Sequence, residues 1–133
     1  MRRCLLLLGA GLLLTTTADP AEEATGARIR VEPSRFDFGR VLPRRTLRKE
    51  FRLRNLGDQA LVIGRISWSC GCTGAIIEET TVEPGGSTPL RIWLETRDRS
   101  GPIEERVVVR SNDPRTPLLQ LLLQATVVEE TPP

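Results

Sequence analysis

The chain has 133 residues, with 19 Lys+Arg against 17 Asp+Glu, a formal net charge of +2 and no histidine. That length builds one domain rather than two, and the near balance of charge argues against a nucleic-acid partner, which calls for a strongly basic patch. Without histidine, imidazole-based activation of a nucleophile and every His-containing metal site are excluded.

The N-terminus reads as a secretory signal peptide over residues 1–18. Arg2 and Arg3 form a positive start, Cys4 to Leu14 are almost wholly apolar, and Thr16-Thr17-Ala18 supply small residues for cleavage. The apolar run falls short of the roughly 20 residues needed to span a bilayer, so the mature chain is expected to insert in no membrane. Its expected location is the periplasm, the extracellular space or the cell envelope. Cleavage removes two arginines and no acid, which leaves basic and acidic residues equal in number. It also removes Cys4, so Cys70 and Cys72 remain as the mature cysteines in an oxidising compartment.

Residues 19–27 are small and charged without periodicity and read as a flexible lead-in. From residue 28 to 128 the pattern has period two, the mark of half-buried strands. Arg28 to Val31 alternates and stops at Pro33, and Phe36-Asp37-Phe38 places both aromatic rings on one face. In Thr46 to Asn55, Leu47, Phe51 and Leu53 share a face opposite Arg48, Glu50, Arg52 and Arg54. Lys49 falls on the apolar side, where its stem can lie over the core edge. Leu56 to Gln59 reads as a turn. Leu61 to Trp68 is a strongly apolar strand that leads into Ser69-Cys70-Gly71-Cys72-Thr73.

Beyond that loop, Ala75 to Ile77 is a short strand, and Glu83-Pro84-Gly85-Gly86 has the order of a tight turn. Leu90, Ile92 and Leu94 face one way, with Arg91, Trp93 and Glu95 on the other side. Ile103 to Ser111 carries Val107 and Val109 inward, and Asn112-Asp113-Pro114 turns the chain. Leu118 to Val128 is the last strand. Leu118 and Leu122, on its outer face, call for a covered or paired edge. Residues 129–133 form a short tail.

Seven to eight short strands between Gly, Pro and Asn turns, with no helical stretch, describe an all-β immunoglobulin-like β-sandwich. A barrel is the alternative, disfavoured by the unequal strand lengths. Phe36-Asp37-Phe38-Gly39, Asn55-Leu56-Gly57-Asp58, Ser69-Cys70-Gly71-Cys72-Thr73, Pro84-Gly85 and Ser111-Asn112-Asp113-Pro114 follow one another in this order. Together they resemble the bacterial domain of unknown function 1573 family over roughly Ile29 to Val128. The resemblance implies an immunoglobulin-like sandwich similar to ASH, PapD-like and major-sperm-protein-like modules, often exported and with no agreed activity. Trp68 and Trp93 lie outside the matching motifs.

Candidate chemistry centres on Cys70 and Cys72, for which four readings stand. The first is a disulfide closed through Gly71; so small a ring is expected to be labile and to add little stability, because the chain-entropy gain grows with loop length. The second is a dithiol for a soft metal such as Cu(I). The third is thiol–disulfide exchange, for which no basic residue lies closer in sequence than Arg65. The fourth is a pair of buried free thiols, since cysteine packs as a small apolar residue. For an exported chain the disulfide ranks first, with Ser69, Gly71 and Thr73 supporting the loop.

Glu78-Glu79 and Glu104-Glu105 are adjacent acids that read as solvated surface rather than an acid–base pair. Arg97-Asp98-Arg99 reads as a solvated charge run. Trp68 is expected to pack in the sandwich beside the cysteine loop. Trp93, on the polar face of its strand, is a surface-contact candidate. The reading is a non-enzymatic interaction module that needs no cofactor and engages a protein partner. A thiol-redox or Cu(I)-handling protein is the alternative.

Overall fold

The computed structural model describes residues 25–129. The expected signal peptide, most of the lead-in and the last residues of the tail lie outside them. Nine strands follow in order: β1 (Ile29–Arg30), β2 (Arg35–Val41), β3 (Thr46–Asn55), β4 (Leu61–Trp68), β5 (Thr73–Ile77), β6 (Thr81–Val82), β7 (Ser87–Glu95), β8 (Gly101–Ser111) and β9 (Leu118–Val127). They form a four-stranded sheet ordered β1-β3-β7-β5 and a five-stranded sheet ordered β2-β9-β8-β4-β6. The fold is the all-β, immunoglobulin-like sandwich. The strand that the sequence pattern misses is β6, whose two residues pair with Leu61 and Val62 and are too few to show a period.

The two-residue alternation turns directly into layers. Along β3 the buried positions are Phe51, Leu53 and Asn55, with Arg52 and Arg54 exposed between them. Along β7, Leu90, Ile92 and Leu94 are buried, and Arg91 and Trp93 are exposed. These residues meet Val107, Val109, Leu121 and Leu123 from the facing sheet, all at 0% exposure and therefore cut off from water. Lys49 points to the core side at the margin, where its Nζ lies 4.3 Å from the centre of the Phe36 ring. That cation–π contact lets the ammonium stay at the rim while the stem covers apolar surface.

A bulge redirects β4. Ile63 pairs with Ser111 and Ile66 with Val109, so three steps on β4 oppose two on β8. The extra residue, in Gly64-Arg65, keeps both isoleucines on the inner side, which a regular strand does not allow. It also sets the phase in which β4 reaches Trp68 and the cysteine loop. The last strand is not an edge: β9 runs parallel to β2 on one side and antiparallel to β8 on the other. Leu122 stands in register with Arg35 and Arg106 and is half-buried. Leu118 remains 51% exposed.

One end of the sandwich is closed by polar side chains. Asn55 Oδ1 accepts from the N–H groups of Gly57 (2.9 Å) and Arg28 (3.2 Å), while its Nδ2 donates to the carbonyls of Gln59 (2.7 Å) and Val82 (2.9 Å). Asp113, 1% exposed, accepts from Ile29 N–H at 2.9 Å through Oδ2, and from Arg115 and Thr116 N–H through Oδ1. Beside them the Gly86 N–H donates to the Glu83 carbonyl at 2.8 Å. Gly85 sits there at φ 81°, which makes Glu83–Gly86 a type II turn that requires glycine at its third position.

Replacing Asn55 by Ala removes four hydrogen bonds made by a buried amide, each worth about 0.5–1 kcal/mol net because three of the four lie only part-buried. Asn55→Ala is expected to lower unfolding free energy by about 2–4 kcal/mol in urea denaturation at unchanged m-value.

Candidate functional site

The cysteine loop closes the opposite end of the sandwich, between β4 and β5. Cys70 and Cys72 are joined by a disulfide with their Cα atoms 5.1 Å apart, within the ordinary range for such bridges. The loop is a tight turn, with Thr73 N–H donating to the Cys70 carbonyl at 3.1 Å. Cys72 is 2% exposed and belongs to an apolar cluster with Leu94, Ile103, Ala125 and Val127, against which Cys70 packs only partly buried. Gly71 projects outward, and a Cβ built on it meets no atom within 4 Å.

Three groups from elsewhere in the fold hold this loop. The Cys72 carbonyl accepts from Glu95 N–H at 2.8 Å, which continues the β5–β7 pairing. The Gly71 carbonyl accepts from Arg97 Nη2 at 3.2 Å. Arg99 Nη1 donates to Cys72 Sγ at 3.5 Å. The connection that carries both arginines is itself pinned by Thr96. This residue is 0% exposed, and its hydroxyl accepts from Arg45 N–H (2.9 Å) and donates to the Leu42 carbonyl (3.0 Å). The Arg97-Asp98-Arg99 run is therefore not simply a solvated charge cluster. Nor is Arg65 the basic residue that matters to the sulfurs: Arg99, 27 residues from Cys72, touches one of them.

The adjacent acids also part company. Glu78, Glu79 and Glu104 are exposed, whereas Glu105 is 3% exposed and accepts a 2.5 Å hydrogen bond from the Ser69 hydroxyl. The reading of Glu105 as surface is corrected by strand phase. Ile103, Glu105, Val107 and Val109 alternate along the inner face of β8, and Glu104 points out. A carboxylate oxygen of Glu105 and both cysteine sulfurs lie within 4.8 Å of one another. A metal is held by thiolates, not by a disulfide, so these donors suit a soft cation only after reduction.

Of the residues singled out in the sequence, Ser69, Cys70, Gly71, Cys72 and Thr73 come together here. Thr73 is buried, with its Oγ1 3.9 Å from Cys72 Sγ. Trp68 is in register with the inward Val107, yet stays 40% exposed at the strand end, so it does not pack fully into the sandwich. Trp93 is 38% exposed and in register with Gly74 on β5; a Cβ at Gly74 would sit 2.0 Å from its indole. The ring covers glycine backbone on the outer face. It lines a shallow hollow of about 280 Å³ with Arg48, Arg91 and Ile76. Glu105, Arg97 and Arg99 are the members of the cysteine site that sequence reasoning passed over. The phase of β8 signalled the acid, and no local pattern signalled the arginines.

A family model described as "Protein of unknown function (DUF1573)" matches residues 29–127. The chain belongs to that family. Among solved structures, a protein of unknown function from Porphyromonas gingivalis W83 superposes with a TM-score of 0.68 at 22% identity, covering 78% of this chain. This chain spans 48% of that protein's length. The ASH/PapD-like domain 7 of human CEP192 matches at a TM-score of 0.62 and 16% identity, covering 95% of this chain and 100% of that domain. The secreted serine protease VesC of Vibrio cholerae matches at 0.60 and 14% identity, over 84% of this chain but 25% of the protease. At these identities the likeness is one of fold, an ASH/PapD-like sandwich. Comparison with curated protein sequences finds no match. Among the described residues no helix is long and apolar enough to cross a membrane.

Glu105→Ala deletes a buried carboxyl together with its hydrogen bond from the Ser69 hydroxyl and is expected to cost about 1–3 kcal/mol. Glu104→Ala, next to it but outward, is expected to change stability by less than about 0.5 kcal/mol. Thermal melts of the two single variants measure the contrast.

Proposed function

We propose that this DUF1573 chain is an exported, non-enzymatic interaction module. Its Cys70-Gly71-Cys72 loop acts as a redox-controlled clip that shapes a surface for a protein partner. The observation that carries this reading is the disulfide-closed loop itself, with Gly71 outward, the Cys72 carbonyl bonded by Glu95 N–H, the Gly71 carbonyl by Arg97, and the Ser69 hydroxyl bonded to Glu105. A short loop held in one shape loses little entropy when a partner binds it, which is how a rigid end loop on a sandwich gains affinity. The signal-peptide pattern supports export, where such a bridge persists. ASH/PapD-like sandwiches offer end loops and open strand edges to partners, and function resides in a site such as this loop rather than in the fold.

A second reading is supported by the grouping of Cys70, Cys72 and Glu105: the reduced loop as a ligand set for Cu(I). The guanidinium of Arg99 on Cys72 Sγ weighs against it, because a fixed cation repels a second one. Cu(I) titration of the reduced protein, with the Cys70→Ser/Cys72→Ser variant beside it, separates the two readings.

The test of the clip uses protein recovered from exported expression and a photo-crosslinking side chain at position 71. Both cysteines are expected to resist alkylation until reduced. One protein adduct is expected at position 71, lost in Cys70→Ser/Cys72→Ser and not formed from position 120 on the far strand β9. Immediate alkylation of both thiols, or an adduct indifferent to the double substitution, overturns the reading.

A further inference from the structure

The two sulfurs of the clip are not equivalent. Cys72 Sγ is shut in among Leu94, Ile103 and Val127, whereas Cys70 sits at the margin of that cluster and is partly open. A nucleophile arriving from solvent therefore meets Cys70 Sγ. The sulfur it displaces is the one with Arg99 Nη1 at 3.5 Å and the Thr73 hydroxyl at 3.9 Å. A thiolate leaves faster when positive charge and donors lower its pKa. Cys70 Sγ, by contrast, accepts from the neutral backbone N–H of Cys72 at 3.1 Å. Glu105 is the charged group that faces the pair from β8. Its Oε1 is engaged by the Ser69 hydroxyl, while the guanidinium is in contact with Cys72 Sγ.

The geometry points to a directional disulfide latch, in which a cysteine thiolate of a partner protein attacks Cys70 Sγ and Cys72 leaves as a thiolate against Arg99. This inference rests on the disulfide-clip reading and adds to it the chemical class of the partner group. The partner thiol gives its proton to solvent. One S–S bond forms between its sulfur and Cys70 while the Cys70–Cys72 bond breaks, and the electron pair of the broken bond goes to Cys72 Sγ. One disulfide replaces another, so no external oxidant or reductant is consumed. Reversal by the Cys72 thiolate on Cys70 Sγ expels the partner and restores the clip. Arg99 acts on the leaving sulfur. Ser69 and Glu105 are positioning residues that fix the approach of the chain to Cys70.

Reduced glutathione is the probe, added to oxidised full-length protein and quenched at timed intervals with excess N-ethylmaleimide, which caps the freed sulfur, with fragment mass spectrometry as readout. The expected product carries glutathione on Cys70 and N-ethylmaleimide on Cys72. Its formation is expected to slow about tenfold in Arg99→Gln, the scale of one charge-assisted hydrogen bond, and to recover in part in Arg99→Lys. Single-cysteine variants provide a second measure: with oxidised glutathione, Cys72→Ala is expected to form the adduct faster than Cys70→Ala. Glutathione on Cys72, or an unchanged rate in Arg99→Gln that still melts as the parent does, overturns the latch. Starting protein that alkylates without reduction overturns the clip itself, whereas a resistant starting protein that forms no glutathione adduct overturns the latch alone.

Discussion

Asn55 uses both ends of its amide at a place that water does not reach, and the arrangement of the sandwich depends on it. At the end of β3 it bonds backbone groups of Arg28, Gly57, Gln59 and Val82. Those partners belong to the chain before β1, the β3–β4 turn and β6, so one side chain ties the β1–β3 side of one sheet to β6 of the other. Buried backbone groups must find partners, and in a sandwich the open ends are where ladders run out. Asp113 does the same for Ile29, Arg115 and Thr116, and Asn112 for Val62 and Ala60. The motifs Asn-Leu-Gly-Asp and Ser-Asn-Asp-Pro are, in this light, structural: they close one end of the sandwich.

That other end is closed by sulfur, three charged side chains and a short apolar cluster. Cys72, Leu94, Ile103, Ala125 and Val127 continue the core, while Arg97 and Arg99 reach in from one connection and Glu105 from a strand. A three-residue bridge constrains the unfolded chain by only about 1–2 kcal/mol on the loop-entropy model. Its contribution to global stability is therefore small beside the core, where single large-to-small changes cost about 2–5 kcal/mol. The bridge is better understood as fixing the shape of one loop than as holding the sheets together.

Much of this was legible in the sequence. Alternation in Thr46–Asn55 and Leu90–Leu94 yields β3 and β7 with the right faces, because a strand with one dry side needs that period. The Glu83-Pro84-Gly85-Gly86 turn follows from proline and glycine alone. Glu105 was legible too, in phase with Val107 and Val109, but the acid beside it invites reading the two as one exposed pair. The bulge at Gly64-Arg65 was not legible, since a single extra residue leaves the composition of β4 unchanged while altering which side chains face in. Arg99 was not legible either: its contact with Cys72 is made by the pairing of β5 with β7 and the Thr96 anchor, which no local pattern encodes. Trp68 shows the limit of composition, as an apolar residue at a strand end has half a neighbour set.

If the bridge shapes only its own loop, reduction loosens that loop while the sandwich stands. Backbone hydrogen exchange of the oxidised and the reduced protein, compared peptide by peptide, separates the two cases. Faster exchange on reduction is expected at residues 69–73 and 97–99, with protection in β3, β8 and β9 unchanged. Loss of protection throughout the strands would contradict it and make the disulfide a staple of the fold.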